Sequence, residues 1–69
     1  MQKFVKIARL GDQVKEVFIE DGATVGSVLD EFDVDAEGWD LRVNGNPSSR
    51  ETSLEDGDVI TLVPPIKGG

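Results

Sequence analysis

The 69-residue chain contains no cysteine and no histidine. Without cysteine there is no disulfide, no thiolate metal ligand and no sulfur nucleophile. Without histidine the usual general base and the commonest metal ligand are both missing. A self-contained enzyme is therefore not expected, and no catalytic residue or metal ligand is assigned. Long apolar runs are lacking too: no stretch approaches the ~20 residues that a membrane-crossing helix needs. Met1-Gln2-Lys3-Phe4 has no apolar core of the kind a signal peptide carries. A soluble, cytoplasmic monomer without membrane contact is expected. Basic residues are scarce, with 7 Lys and Arg against 14 Asp and Glu, a formal net charge of −7. Phosphate backbones would repel such a chain, so nucleic acid is not an expected partner. A basic docking surface on another protein is.

What remains is enough for one small domain. Residues Lys3 to Leu10 alternate as a strand, with Val5 and Ile7 on one face and Phe4, Lys6 and Ala8 on the other. Gly11-Asp12 marks a turn, and Val14 to Glu20 reads as the returning strand with Val17 and Ile19 inward. Phe4 and Phe18 then share the outer side of one hairpin, a candidate contact patch. Thr24 stands at a helix N-cap, followed by Val25, Val28, Leu29 and Phe32 at helical spacing. Gly26 reads as a weak point in that helix, costing up to ~1 kcal/mol relative to alanine. Asp30, Glu31 and Asp33 read as a solvated face, and Trp39 as a half-buried lid on the core.

Leu41-Arg42-Val43 forms a short strand before the strong turn dipeptide Asn44-Gly45, and Asn46 to Glu51 reads as irregular. A second turn at Glu55-Asp56-Gly57-Asp58 leads into the last strand, Val59 to Val63, in which Thr61 and Val63 share the outer face. The order predicts an α+β fold with one helix across a small mixed sheet whose first and last strands are central and parallel. Residues 1–63 form the expected domain and 64–69 an extended tail. Pro64 and Pro65 stiffen that tail, and Gly68 and Gly69 lack the side chains that would stop it entering a narrow slot. The reactive group offered by Gly69 is its α-carboxylate. The tail is read as a thin arm, threaded through Pro64, Pro65, Ile66 and Lys67 into another protein's active site.

Leu54-Glu55-Asp56-Gly57-Asp58-Val59-Ile60 followed by Gly68-Gly69 resembles the ubiquitin-like sulfur carriers of β-grasp fold. These comprise the thiamine-biosynthesis carrier and the small subunit of molybdopterin synthase. Val43-Asn44-Gly45 and Ala23-Thr24-Val25 are similar to the same family's turn and helix entry, and Pro64-Pro65 to the molybdopterin-type tail. The opening Met1 to Lys6 is similar to ubiquitin, with Lys3 where ubiquitin has an apolar residue.

The resemblance implies an activation cycle in which a ubiquitin-activating-type adenylyltransferase binds ATP and the carrier. The Gly69 carboxylate becomes an acyl-adenylate, because a carboxylate is a poor electrophile and AMP a good leaving group. A persulfide from a sulfur-donor protein then displaces AMP and leaves a thiocarboxylate. In the modifier branch, represented by small archaeal modifiers, some of which do both jobs, a lysine of a substrate protein attacks instead and an isopeptide bond forms. A dual carrier and modifier is a further reading. ATP is used by the partner, and no cofactor is expected to reside on the carrier. Docking is expected around Thr61 and Val63, with Phe4 and Phe18 beside them. Lys67 before the diglycine is more typical of modifiers than of dedicated carriers. A non-covalent β-grasp binding module is the third reading, and Lys3, Lys6, Lys15 and Lys67 are equal candidates as chain-forming acceptors.

Overall fold

Alternating apolar residues lay down two strands that fold onto each other, and the pattern repeats at the other end of the chain. In the computed structural model, which describes residues 3–65, the elements are β1 (Lys3–Arg9), β2 (Lys15–Ile19), α1 (Val25–Glu31), β3 (Asp40–Val43), β4 (Asn46–Pro47) and β5 (Val59–Val63). They form one sheet in the order β2-β1-β5-β3-β4. β1 and β5 are parallel and central, and the other neighbours are antiparallel. The α1 residues Val25, Val28 and Leu29 close over Val5, Ile7, Ile19, Leu54, Ile60 and Leu62 in a fully apolar core. This is the α+β, β-grasp arrangement, with the opposite face of the sheet left open.

The helix is short and depends on its ends. Thr24 Oγ1 accepts from the Ser27 N–H at 3.2 Å, and Ser27 Oγ accepts from the Thr24 N–H at 2.9 Å. At the other end Asp33 takes φ 54, and the Val34 N–H reaches back to the Leu29 carbonyl at 2.9 Å. The first free helical N–H groups are met by the loop after β4: Val25 donates to the Thr52 carbonyl and Gly26 to that of Arg50, at 3.0 and 2.8 Å. This overturns the reading of Gly26 as a weakness. A Cβ there would lie 2.9 Å from the Arg50 Cβ and 3.0 Å from its carbonyl oxygen, so the bare glycine permits the contact that caps the helix.

Two boundaries differ from expectation. The first hairpin turns earlier and wider, so Leu10 and Val14 leave their strands and stand 72% and 58% exposed. The stretch expected to be irregular opens with β4, where Asn46 pairs with Val43 and Pro47 with Arg42. Asn44 and Gly45 at φ 53 and 84 make the tight reversal that sets this register, and Pro47 sits on the edge, where no ladder N–H is missed.

The turn before β5 fastens the sheet together. Gly57, at φ 86, donates to the Phe4 carbonyl at 2.8 Å, while Asp56 Oδ1 accepts from the Phe4 N–H at 2.9 Å. The Asp58 carbonyl accepts from Lys6, its Oδ2 from Glu55 N–H, and its Oδ1 from Asn44 Nδ2 at 2.9 Å. Asn44 Oδ1 in turn accepts from the Val59 N–H at 3.0 Å. Beside this clasp Lys3 lies 3.4 Å from Asp21 and 3.6 Å from Glu55. The hydrogen bond to Asp21 comes first, with the charge of Glu55, in raising its pKa above 10.5.

These contacts generate three stability measurements. Gly26→Ala should lower the urea-unfolding free energy by about 1–3 kcal/mol, the cost of overpacking, although alanine is the better helix former. Asn44→Gly keeps the positive φ and removes only the side-chain bridge, so a loss of about 1–2 kcal/mol is expected. Because Lys3 has a raised folded pKa, its ion-pair contribution is complete below pH 10.5 and fades as pH rises through the folded value. The stability gap between the natural protein and Lys3→Gln should therefore be open at neutral pH and close in strong alkali, and also close in 1 M salt, where screening acts over ~3 Å.

Candidate functional site

The candidate site is the root of the tail and the surfaces around it. β5 ends at Val63, opposite Asp40 of β3, and Pro64 comes next, half-buried, with Pro65 exposed. Ile66, Lys67, Gly68 and Gly69 lie outside the described residues. Six residues, 64–69, follow Val63, so a fully extended arm spans at most about 22 Å.

The open face of the sheet carries the four expected docking residues. Register puts Phe4 directly opposite Phe18, Lys6 opposite Glu16, and Ala8 opposite Thr61. They occupy the same face but not one patch. Phe4 lies four residues before Ala8 in β1, about 13 Å along the strand. Phe4 and Phe18, 37% and 67% exposed, line one shallow depression with Glu16 and Val17. Thr61 and Val63 line another of about 380 Å³ at the tail root, with Ala8, Leu10 and Val14. The Lys6–Glu16 ion pair, at 3.9 Å, lies between the two ends. The aromatic pair is thus set apart from the tail root rather than beside Val63.

Leu10 and Val14 are the surface residues that sequence reasoning does not single out. A signal is present: two large aliphatics flank the polar turn Gly11-Asp12-Gln13, where solvent exposure favours hydrophilic residues. By phase alone they extend the neighbouring strands, which in fact stop short of them.

The far side of the tail root has a different character. Arg9, at the end of β1, stacks its guanidinium 4.7 Å from the centre of the Trp39 ring and lies 3.8 Å from Asp12. This anchors the segment between α1 and β3, in which Trp39 is half-buried against the core. The exposed face of that segment is acidic. The lysines are unequal as well: among the described residues Lys3 and Lys6 are held in ion pairs and Lys15 is not. No group of His, Cys, Asp or Glu among the described residues is arranged to hold a metal ion, and no helix is long and apolar enough to cross a membrane.

Known proteins resemble this arrangement. The chain is similar in fold to small archaeal modifier protein 1 of H. volcanii, with TM-score 0.78 and 19% identity over 93% of this chain and 99% of that one. Caldiarchaeum subterraneum ubiquitin gives TM-score 0.69 and 21% identity, covering 100% of both chains. A chain from the complex of subunits 1 and 2 of the Helicobacter pylori molybdopterin-converting factor gives 0.66 and 23%, over 96% of this chain and 99% of that one. No curated protein matches the sequence. The family model described as ThiS family matches residues 3–69, from the first described strand through both glycines, and the chain belongs to that family.

Proposed function

We propose that the protein is a ubiquitin-like sulfur carrier whose reacting group is the Gly69 carboxylate. The observation that carries this reading is the family match, which runs through Gly68 and Gly69. The chain has no cysteine, so the sulfur and the thiols must come from partners. A carboxylate oxygen of Gly69 attacks the α-phosphorus of ATP held by a ubiquitin-activating-type adenylyltransferase, and pyrophosphate leaves. The terminal sulfur of a protein persulfide attacks the acyl carbon and AMP leaves. A thiol then cleaves the acyl disulfide, forming a disulfide on the partner and leaving the thiocarboxylate on Gly69. The carrier acts as co-substrate and holds no cofactor of its own.

The rigid part of the reading is geometric. Pro64 and Pro65 restrict φ and stiffen the root of the arm, and Ile66 and Lys67 would follow the glycines into the partner. Thr61 and Val63, joined by Leu10 and Val14, form the apolar seat nearest the arm, and Phe4 and Phe18 offer a second contact on the same face. The molybdopterin-converting factor neighbour is a complex of two subunits, which supports a protein as the recipient.

A second reading has its own support. Lys67 before the diglycine and the likeness to a small archaeal modifier favour conjugation, in which a substrate lysine displaces AMP and forms an isopeptide bond.

Intact-mass spectrometry of the protein from its own host, under denaturing conditions, tests both. An oxygen-to-sulfur exchange confined to Gly69 is expected for the carrier. A ladder of covalent adducts, with a diglycine remnant on target lysines after trypsin cleavage at Lys67, is expected for the modifier. The unmodified mass alone under several growth conditions, with function surviving deletion of Gly68 and Gly69, would leave a non-covalent binding module.

A further inference from the structure

Most of the excess negative charge of this chain is in one place. Residues 30–40 include Asp30, Glu31, Asp33, Asp35, Glu37 and Asp40 and no basic residue. The end of α1 and the segment beyond it enclose a groove of about 650 Å³. Val34, Ala36, Trp39 and Leu41, all half-buried, supply its apolar surface, and Arg50 also lines it beside Asp30. Its rim is anionic. Asp30 is neutralised by Arg50 at 2.8 Å, but Asp33, Asp35 and Glu37 make no ion pair among the described residues.

The folding of this segment does not require those charges. The turn after α1 is held by backbone bonds, Val34 N–H to Leu29 and Trp39 N–H to Ala36, and Asp35 contributes only Oδ1 to the Glu37 N–H at 3.1 Å. Asp33 also follows directly on the helix C-terminus, where the dipole disfavours an anion. An apolar floor with three unneutralised carboxylates above it is complementary to a segment with cationic side chains on either side of an apolar one.

We infer that this groove receives a basic segment of a protein partner, with an apolar side chain seated against Trp39 and Val34 and its cationic neighbours on Asp33, Asp35 and Glu37. The groove lies at the same end of the molecule as the tail root, since Val63 pairs with Asp40, the residue after Trp39. It lies on the helix side, however, away from the Thr61–Val63 seat. A partner could therefore grip both sides of the arm. The inference goes beyond the carrier reading and does not depend on it.

The single tryptophan lines the groove, so its emission reports occupancy directly. The probe is the synthetic peptide Lys-Arg-Leu-Arg-Lys, titrated into the full chain at low ionic strength. A saturable change in Trp39 emission is expected. Affinity should fall about tenfold or more between 0.1 and 1 M salt, as the screening length drops from about 10 to about 3 Å. The double variant Asp35→Lys with Glu37→Lys should bind at least about tenfold more weakly. The milder pair Asp35→Asn with Glu37→Gln should fall between. Phe18→Ala and deletion of Gly68 and Gly69 should leave binding unchanged, which separates the groove from both the open sheet face and the tail. The inference is overturned if emission shows no saturable change, or if the charge-reversed variant binds as well as the natural chain. Equal binding of Lys-Arg-Ser-Arg-Lys would also overturn it, because only a diffuse counterion cloud ignores the central side chain. So would a Trp39 change that tracks protein concentration without peptide, which would make the occupant a second copy of this chain.

Discussion

The parallel contact between β1 and β5 is the constraint on which everything else rests. Two strands far apart in sequence must meet side by side, and loop closure over that distance brings no gain until the contact forms. The Asp56-Gly57-Asp58 turn resolves the difficulty by binding the chain on both sides of β5. It grips the Phe4 N–H and carbonyl on one side and, through Asp58 and Asn44, the end of β3 on the other. Once Phe4 and Gly57 are locked, Ile7 must face Ile60 and Arg9 must face Leu62. The inner face of the sheet then presents an unbroken apolar floor, and α1 has one place to lie. The position of Val63, and with it the direction in which the arm departs, is set by a hydrogen-bonded turn at the opposite end of the strand.

That arrangement explains which parts of the molecule are legible in its sequence. The strands and the helix face are readable because burial imposes a strict period on them: Val5 and Ile7, Val25, Val28 and Leu29, Ile60 and Leu62 all fall in the core in the expected phase. The turns are readable because Asn44-Gly45 and Asp56-Gly57-Asp58 combine a need for positive φ with short acceptor side chains. Gly26 misleads for a physical reason. Propensity describes a helix in isolation, whereas this glycine answers to the Arg50 backbone, a contact made from 24 residues away. Strand β4 escapes a sequence reading because two residues carry no periodicity, and only the reversal at Asn44-Gly45 places them beside β3.

The site is less legible than the fold. Sequence phase places Phe4, Phe18, Thr61 and Val63 on one face, and the register agrees that they share it. Phase carries no information about distance along a strand, however, and the two pairs lie at opposite ends. Leu10 and Val14 are hidden by the opposite error, since an apolar residue next to a strand is easily read as part of it. The acidic rim is visible as composition and reads as a solvated face; only the groove beneath it, formed when Trp39 packs under Arg9, gives those charges a shape.

The residues that announce the family hold the sheet together, and the residues proposed to react lie outside the described part of the chain. Asp56, Gly57, Asp58 and Asn44 are engaged in holding the sheet. Gly68 and Gly69 have no side chains with which to stabilise anything. In the carrier reading proposed above, a chain without cysteine brings no thiol of its own to the reaction, and activation would rest with whichever partner accepts the arm. Selectivity in that reading would draw on surfaces that flank the arm, since its two glycines offer little to recognise. The apolar seat at Thr61, Val63, Leu10 and Val14 lies on one side of the root, and the acidic groove at Trp39 on the other. A partner that matched only the apolar seat would meet a modest patch with little directional character. One that also carried cationic side chains at the right spacing would be drawn to the correct side and turned to the correct orientation before the arm entered. In the proposed reading, charge placed off the reaction axis would govern encounter, while apolar contact and the thin arm would govern residence and delivery of the carboxylate.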